Sequence, residues 1–173
     1  LQTGFLRLDN GSVRWLAVDL PETVAVRARL LPEADRHRSL ACSALDFRWM
    51  EEVDRTKGVF LTAEGLLMYF EPRDVHRLLA ACAERFPGSR MMFDVIPRWL
   101  SRKTLQGGWA LSRHYRTPPM PWGIDVNEQS SLREIHPNIV DVRDVDIGRG
   151  QGCMFGFLLP LLVHIDGRLR ATT

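Results

Sequence analysis

Cysteine is scarce in this chain: Cys42, Cys82 and Cys153 are an odd three, widely spaced and without a C-x-x-C pair. That excludes a disulfide-stapled module and points to a reducing, cytoplasmic compartment with buried free thiols. Long apolar runs are missing too. The best of them, Met154–Val163, is interrupted by Gly156 and Pro160 and is too short to cross a bilayer as a helix. No charge of one sign dominates, since 23 Lys and Arg face 21 Asp and Glu for a formal net charge of +2. Such a balance gives no strong attraction to nucleic acid or to an anionic membrane. Internal repeats, low-complexity stretches, a signal peptide, a G-x-S-x-G elbow and a P-loop are all absent. The five histidines, His37, His76, His114, His136 and His164, show no metal-ligand spacing and none pairs with a cysteine. No metal site is expected.

What is present suits one compact domain. The chain has 173 residues, 45% of them hydrophobic and 25% charged, and a domain of this size buries roughly 70% of the surface its unfolded form exposes. It opens on Leu1 rather than Met and reads as a fragment of a longer sequence.

Short β-rich runs alternate with helical patterns. Val13–Asp19 is an apolar run ended by an acid, after which Pro21 occupies the first turn of a helix that runs over Glu22–Leu31 until Pro32. His37–Cys42 is a weaker strand, and Phe47–Val53 suggests a short helix. Gly58–Ala63 is a buried-looking strand. Pro72 opens a strongly helical stretch, Asp74–Phe86, with Val75, Leu78, Leu79 and Cys82 on one face, stopped by Pro87-Gly88. Arg90–Ile96 is another strand. Strands separated by helices imply right-handed crossovers and a mostly parallel sheet with helices on both faces, an α/β fold.

After Pro97 the texture changes. The segment Ser101–Asp125, with Gly107-Gly108, Trp109, His114, Tyr115, Arg116, Pro118-Pro119, Pro121 and Trp122, is too proline-rich for regular structure and too aromatic for a solvated linker. It reads as a lid or substrate-binding insertion over about 101–126. A short helix at Asn127–Ile135, an alternating edge strand at Ile139–Ile147, a turn at Gly148–Gly152, a helical or apolar segment at Phe155–Val163 and a last strand at Ile165–Thr173 follow.

In open parallel sheets, ligands sit beyond the carboxyl ends of the strands. Asp19 ends the first strand and either accepts the hydroxyls of a ribose or is a solvated acid before a proline-started helix. Ser43-Ala44-Leu45-Asp46 follows the second, where Asp46 either accepts from an exocyclic amine or caps the next helix. Glu64 follows four apolar residues and precedes Gly65, whose lack of a side chain permits close approach. At the buried mouth of a strand, its charge demands a partner, either a cationic ligand group or an arginine of the chain itself. Asp94, within Met91-Met92-Phe93-Asp94-Val95-Ile96, reads as structural.

The succession RLDNGSVRWLAVDLPETVAVRARLLP, then ACSALDFRWM, then FLTAEGLLMYF followed by a helix, resembles the leucine carboxyl methyltransferase family. The likeness extends to its bacterial polyketide O-methyltransferase (tetracenomycin-type) branch through HYRTPPMPWGID, and it covers nearly the whole chain. The resemblance implies a Rossmann-like methyltransferase fold and S-adenosylmethionine as cofactor. It also implies transfer of a methyl group to a carboxyl or hydroxyl oxygen of a small, polyketide-like acceptor. Carried over by position, Asp19 matches the acid that holds the ribose hydroxyls. Ser43 and Ala44 match the adenine-side pair, where many relatives have Asp-Leu, which leaves backbone contacts there. Glu64 matches the glutamate at the cofactor site. At the start, Leu1-Gln2-Thr3-Gly4 stands where relatives have Leu-Asp-Thr-Arg, and the preceding glycine-rich loop and first strand have no counterpart. The expectation that follows is that this polypeptide alone binds the cofactor weakly or not at all, with the apolar edge of an incomplete sheet exposed.

Methyl transfer from a sulfonium needs positioning more than acid–base chemistry. A carboxylate acceptor, already ionised at neutral pH, calls for a cationic clamp, for which Arg98, Arg113 and Arg116 are the candidates. A phenolic acceptor calls for a base, His114 beside Tyr115. Trp109 and Trp122 either line an aromatic-accepting pocket or pack the lid. Two alternatives remain: a truncated, non-catalytic Rossmann-like domain, and a nicotinamide-dependent oxidoreductase, for which the G-x-G-x-x-G fingerprint is absent.

Overall fold

The computed structural model describes residues 4–31, 34–108, 116–145 and 171–172. They divide into two compact units, Leu1–Gly58 and Val59–Thr173.

The first unit is built on two parallel strands, β1 (Trp15–Asp19) and β2 (His37–Ala41), in register from Trp15 opposite His37 to Asp19 opposite Ala41. Parallel neighbours need a crossover, and helix α2 (Pro21–Leu30) supplies it. Pro21 opens α2 where its missing N–H costs nothing, and the Leu31 amide closes it on the Arg27 carbonyl. Ahead of them, a short helix α1 (Gly4–Leu8) is pinned beside the start of β2. The Phe5 ring stacks on His37 at 5.0 Å and 9°, and the Arg36 guanidinium lies 5.6 Å from the Phe5 centroid. Arg36 also grips Asp9 through two bonds of 2.6 and 2.8 Å, which holds the Asp9 carboxyl down at a pKa of about 2. Gly4 packs close to the Trp15 ring, which a Cβ there would meet at 2.9 Å, so a larger residue would need the ring to shift. The unit ends in a 3-10 helix, Phe47–Glu52, rather than the α-helix that the spacing suggests.

The second unit holds a four-stranded sheet. Strands β3 (Phe60–Ala63) and β4 (Arg90–Asp94) are parallel, in register from Phe60 opposite Arg90 to Ala63 opposite Phe93. Helix α3 (Pro72–Arg85) connects them. Its apolar face is the predicted one: Val75, Leu78, Leu79 and Cys82 are all buried, and Phe86 caps the end by donating to the Cys82 carbonyl. Each such side chain removed from water stabilises the fold by roughly 1.5–3 kcal/mol. Burial pushes the Cys82 thiol up to about 12. Cys42 is half-buried, and Cys153 lies outside the described residues.

Beyond β4 come helix α4 (Arg98–Leu105), a 3-10 helix over Val126–Ile135, and the two-residue strands β5 (Asp144–Val145) and β6 (Ala171–Thr172). The sheet order is β3-β4-β6-β5, with β6 antiparallel to both neighbours. The parallel pairs bear out the α/β expectation, with two adjustments. The insertion expected to be irregular begins as regular helix, since Ser101–Leu105 belongs to α4. Its two hydroxyls at Ser101 and Thr104 are buried against the chain that returns over them. Of the edge strand expected over 139–147, Asp144–Val145 is strand and 139–143 is not, while 146–147 lie outside the described residues. The segment Phe155–Val163 and the start of the last predicted strand lie outside the described residues. Among the described residues, no helix is long and apolar enough to cross a membrane.

Candidate functional site

In the first unit, the parallel register brings Asp19 and the Ser43–Asp46 loop together at the carboxyl ends of β1 and β2. The Cys42 amide, just past β2, donates to the Asp19 carbonyl at 3.0 Å and ties the two strand ends. The Asp19 side chain is half-buried, and its Oδ1 accepts from the Leu20 amide at 2.9 Å. Among the described residues, no cation pairs with it. A carboxylate so placed keeps acceptor capacity on Oδ2, since an ionised carboxyl offers about four lone-pair sites.

The loop after β2 is a tight turn. Asp46 N donates to the Ser43 carbonyl at 3.0 Å, Leu45 N donates to Ser43 Oγ at 3.2 Å, and the Trp49 indole N–H donates to the Ala44 carbonyl at 2.9 Å. Each of the Ser43 and Ala44 carbonyls thus accepts one bond within the turn. Of the two roles open to Asp46, the structure gives it the cap. Asp46 precedes the 3-10 helix and accepts from the Arg48 amide at 3.3 Å and from Arg48 Nη2 at 2.5 Å. That guanidinium holds the Asp46 carboxyl well below its usual range, at about 2.

In the second unit, Glu64 and Gly65 follow the last residue of β3. Here the sequence reading is corrected: Glu64 is exposed, because the chain bends out of the sheet immediately after Ala63. The argument that its charge must find a partner to offset burial therefore falls. Gly65 has φ of +60°, a left-handed conformation that strains any residue with a Cβ. A Cβ at Gly65 would meet nothing within 4 Å, so backbone geometry rather than crowding requires glycine. The Gly65 amide donates to Asp94 Oδ1 at 2.7 Å, a contact between the carboxyl ends of neighbouring parallel strands.

Of the residues expected to touch substrate, the three that are described each have partners within the chain. Arg98 is no free clamp: its Nε donates to Glu128 Oε2 at 2.5 Å, and its backbone N–H donates to Asp125 Oδ1 at 3.0 Å. Its charge is satisfied by a partner that also accepts from the Asp125 amide at 3.1 Å. Arg116 is exposed and donates to the Gly107 carbonyl at 3.1 Å. Trp122 is a core residue, 4% exposed, with its ring 6.3 Å from that of Phe93 and its amide bonded to the Met68 carbonyl. Its predicted place in a pocket lining is replaced by packing. Trp109, Arg113, His114 and Tyr115 lie outside the described residues.

Sequence reasoning missed how the chain after Arg116 is tied down. Ser101 Oγ donates to the Met120 carbonyl at 2.7 Å, the Met120 amide donates to Thr104 Oγ1 at 2.9 Å, and Ile124 N donates to the Ile96 carbonyl at 2.9 Å. Gly123 sits so close to the backbone that a Cβ would meet the Ile96 carbonyl at 2.9 Å. The Asp125–Glu128 spacing, an acid three residues after a capping acid, was the one legible signal for this junction. Among the described residues, no group of three or more His, Cys, Asp or Glu could hold a metal ion.

Comparison with known proteins places these strand ends in a lineage. No family model matches the chain. It is 28% identical over 151 residues to the tetracenomycin polyketide synthesis O-methyltransferase TcmP of Streptomyces glaucescens, an alignment that covers 82% of this chain. The chain spans only 56% of the length of that relative. Among solved structures, an O-methyltransferase family protein from Burkholderia thailandensis superposes with a TM-score of 0.51 and 15% identity, over 92% of this chain and 42% of that one. The fold is therefore the Rossmann-like α/β fold of methyltransferases, and over most of its length the chain is similar in sequence to a tetracenomycin polyketide synthesis O-methyltransferase.

Proposed function

We propose that this chain serves an S-adenosylmethionine-dependent O-methyltransferase that acts on a carboxyl or hydroxyl group of a small, polyketide-like molecule. The observation that carries the reading is the relationship to TcmP over most of the chain. The strand-end residues agree with it. Asp19, half-buried and without an ion-pair partner among the described residues, suits a pair of ribose hydroxyls. The amides of Ser43 and Ala44 suit the adenine edge, each of their carbonyls accepting one bond within the turn. In the second unit, taken by itself, the exposed Glu64 after β3 suits a cationic ligand group, and the open space above Gly65 lets a ligand approach.

The cofactor, held by Asp19 and the amides of Ser43 and Ala44, would supply an electrophilic methyl whose bond to sulfur breaks as its bond to the acceptor oxygen forms, with S-adenosylhomocysteine as the leaving thioether. The chain's own task is then to orient that oxygen and, where needed, to take its proton. A carboxylate acceptor, with a pKa near 4, arrives ionised, whereas a phenol at roughly 10 does not. In this reading His114 is the base for a phenol, with Tyr115 beside it and Trp109 lining the aromatic acceptor. With Arg98 committed to Glu128 and Trp122 to the core, the clamp for a carboxylate falls to Arg113 or Arg116.

The test is a methyl-transfer assay with matched phenolic and carboxylic acceptors. His114→Ala is expected to slow transfer to a phenol by about 100-fold or more, the usual worth of a positioned base. Transfer to a carboxylate should change only a few-fold. Equal losses on both acceptors would remove His114 as the base, and the absence of transfer to any acceptor would contradict the assignment as a methyltransferase.

A further inference from the structure

We infer that Asp94 is a positioning residue for the cofactor site: its carboxylate sets the Glu64–Gly65 turn from the neighbouring strand. This inference rests on the functional reading given above for Glu64.

Three observations meet at this point. Strands β3 and β4 run parallel, and their last paired residues are Ala63 and Phe93, so Glu64 and Asp94 each stand one step beyond the shared register. Next, the chain does not continue straight. It bends at Glu64 and enters a left-handed conformation at Gly65, with φ of +60°. Finally, the Gly65 amide, turned out of the ladder by that bend, is captured by Asp94 Oδ1 at 2.7 Å.

A bond from a backbone N–H to an ionised carboxylate is stronger than a neutral one. Here it fixes the peptide immediately after Glu64. The direction in which Glu64 leaves the sheet follows from that peptide, because Cα–Cβ orientation is set by the backbone on both sides. Asp94 is well suited to hold it. It is half-buried and lies on a strand flanked on both sides, since β4 also pairs with β6 through Asp94 and Ala171.

The experiment uses S-adenosylhomocysteine as the probe and reads affinity by titration for four proteins besides the unsubstituted one: Glu64→Gln, Asp94→Ala, Asp94→Asn and the double variant Glu64→Gln with Asp94→Ala. Thermal unfolding and the exchange rate of the Gly65 amide are measured in parallel. Asp94→Ala is expected to weaken affinity by about five- to tenfold, the scale of one lost charge-assisted bond transmitted to a ligand contact. It should also raise exchange at Gly65. Asp94→Asn keeps an acceptor oxygen and should stay within about twofold of the parent. In the Glu64→Gln background, Asp94→Ala should add little, because residues that act through one contact are not additive.

If Glu64→Gln weakens binding while Asp94→Ala leaves it unchanged, the positioning role is overturned and the functional reading stands. The same holds if Asp94→Asn loses as much as Asp94→Ala, which would assign the effect to charge. If Glu64→Gln has no effect, or the probe does not bind at all, the functional reading of Glu64 fails and the inference falls with it.

Discussion

Trp122→Ala is expected to destabilise the second unit by about 3–5 kcal/mol, the usual cost of truncating a buried tryptophan. The residue is 4% exposed and packs against Phe93 in the middle of β4, while its neighbours Gly123 and Ile124 are held against the Ile96 carbonyl. Truncation leaves a cavity that this tied-down chain cannot collapse into, since Met120 is bonded to both Ser101 and Thr104. Against a typical domain stability of about 5–15 kcal/mol, such a loss takes much of the margin. Trp122→Phe, which keeps most of the apolar volume, should cost about half as much or less. Denaturant unfolding of the three proteins checks this. A Trp122→Ala protein as stable as the parent, with its defect confined to turnover of an aromatic acceptor, would return Trp122 to the pocket lining and refute the core assignment.

Asp19→Ala carries the second large effect, on binding rather than stability. Two hydroxyls donating to one carboxylate are charge-assisted bonds worth about 1.5–3 kcal/mol each, and about 1.4 kcal/mol corresponds to a tenfold change in affinity. Removing the carboxylate is therefore expected to weaken S-adenosylhomocysteine binding by about 100-fold or more. Folding should suffer little, because the bond lost within the protein is the one from the Leu20 amide, worth about 0.5–1.5 kcal/mol. Calorimetric titration, with a thermal melt of each protein, separates the two. A variant that melts well below the parent yet binds the probe equally well would make Asp19 a cap for the turn into α2 and nothing more.

The sequence disclosed the repeating elements better than the environments of single side chains. Pro21 and Pro72 announced two helix starts, and the spacing of Val75, Leu78, Leu79 and Cys82 announced the buried face of α3, because local backbone chemistry and a 3.6-residue period suffice for both. Placing Asp19 and the Ser43–Asp46 loop together needed only the parallel pairing of β1 with β2. Glu64 escaped the same logic: four apolar residues before it define a strand but not the point at which the chain turns away from the sheet. That point depends on Asp94, thirty positions further on, and on the left-handed Gly65. Arg98 and Trp122 escaped for a related reason. A guanidinium and an indole serve a ligand or the fold equally well, and which they serve is decided by Glu128 and Phe93, partners distant in sequence.

Residue-resolved NMR of the isotopically labelled chain, titrated to millimolar S-adenosylhomocysteine, tests the central claim most directly. The account predicts shifts at the amides of Asp19, Ser43, Ala44, Glu64 and Gly65, with those of α3 and the 3-10 helix over Val126–Ile135 unmoved. Shifts that leave these strand-end amides untouched, or none at all at saturating probe, would contradict it.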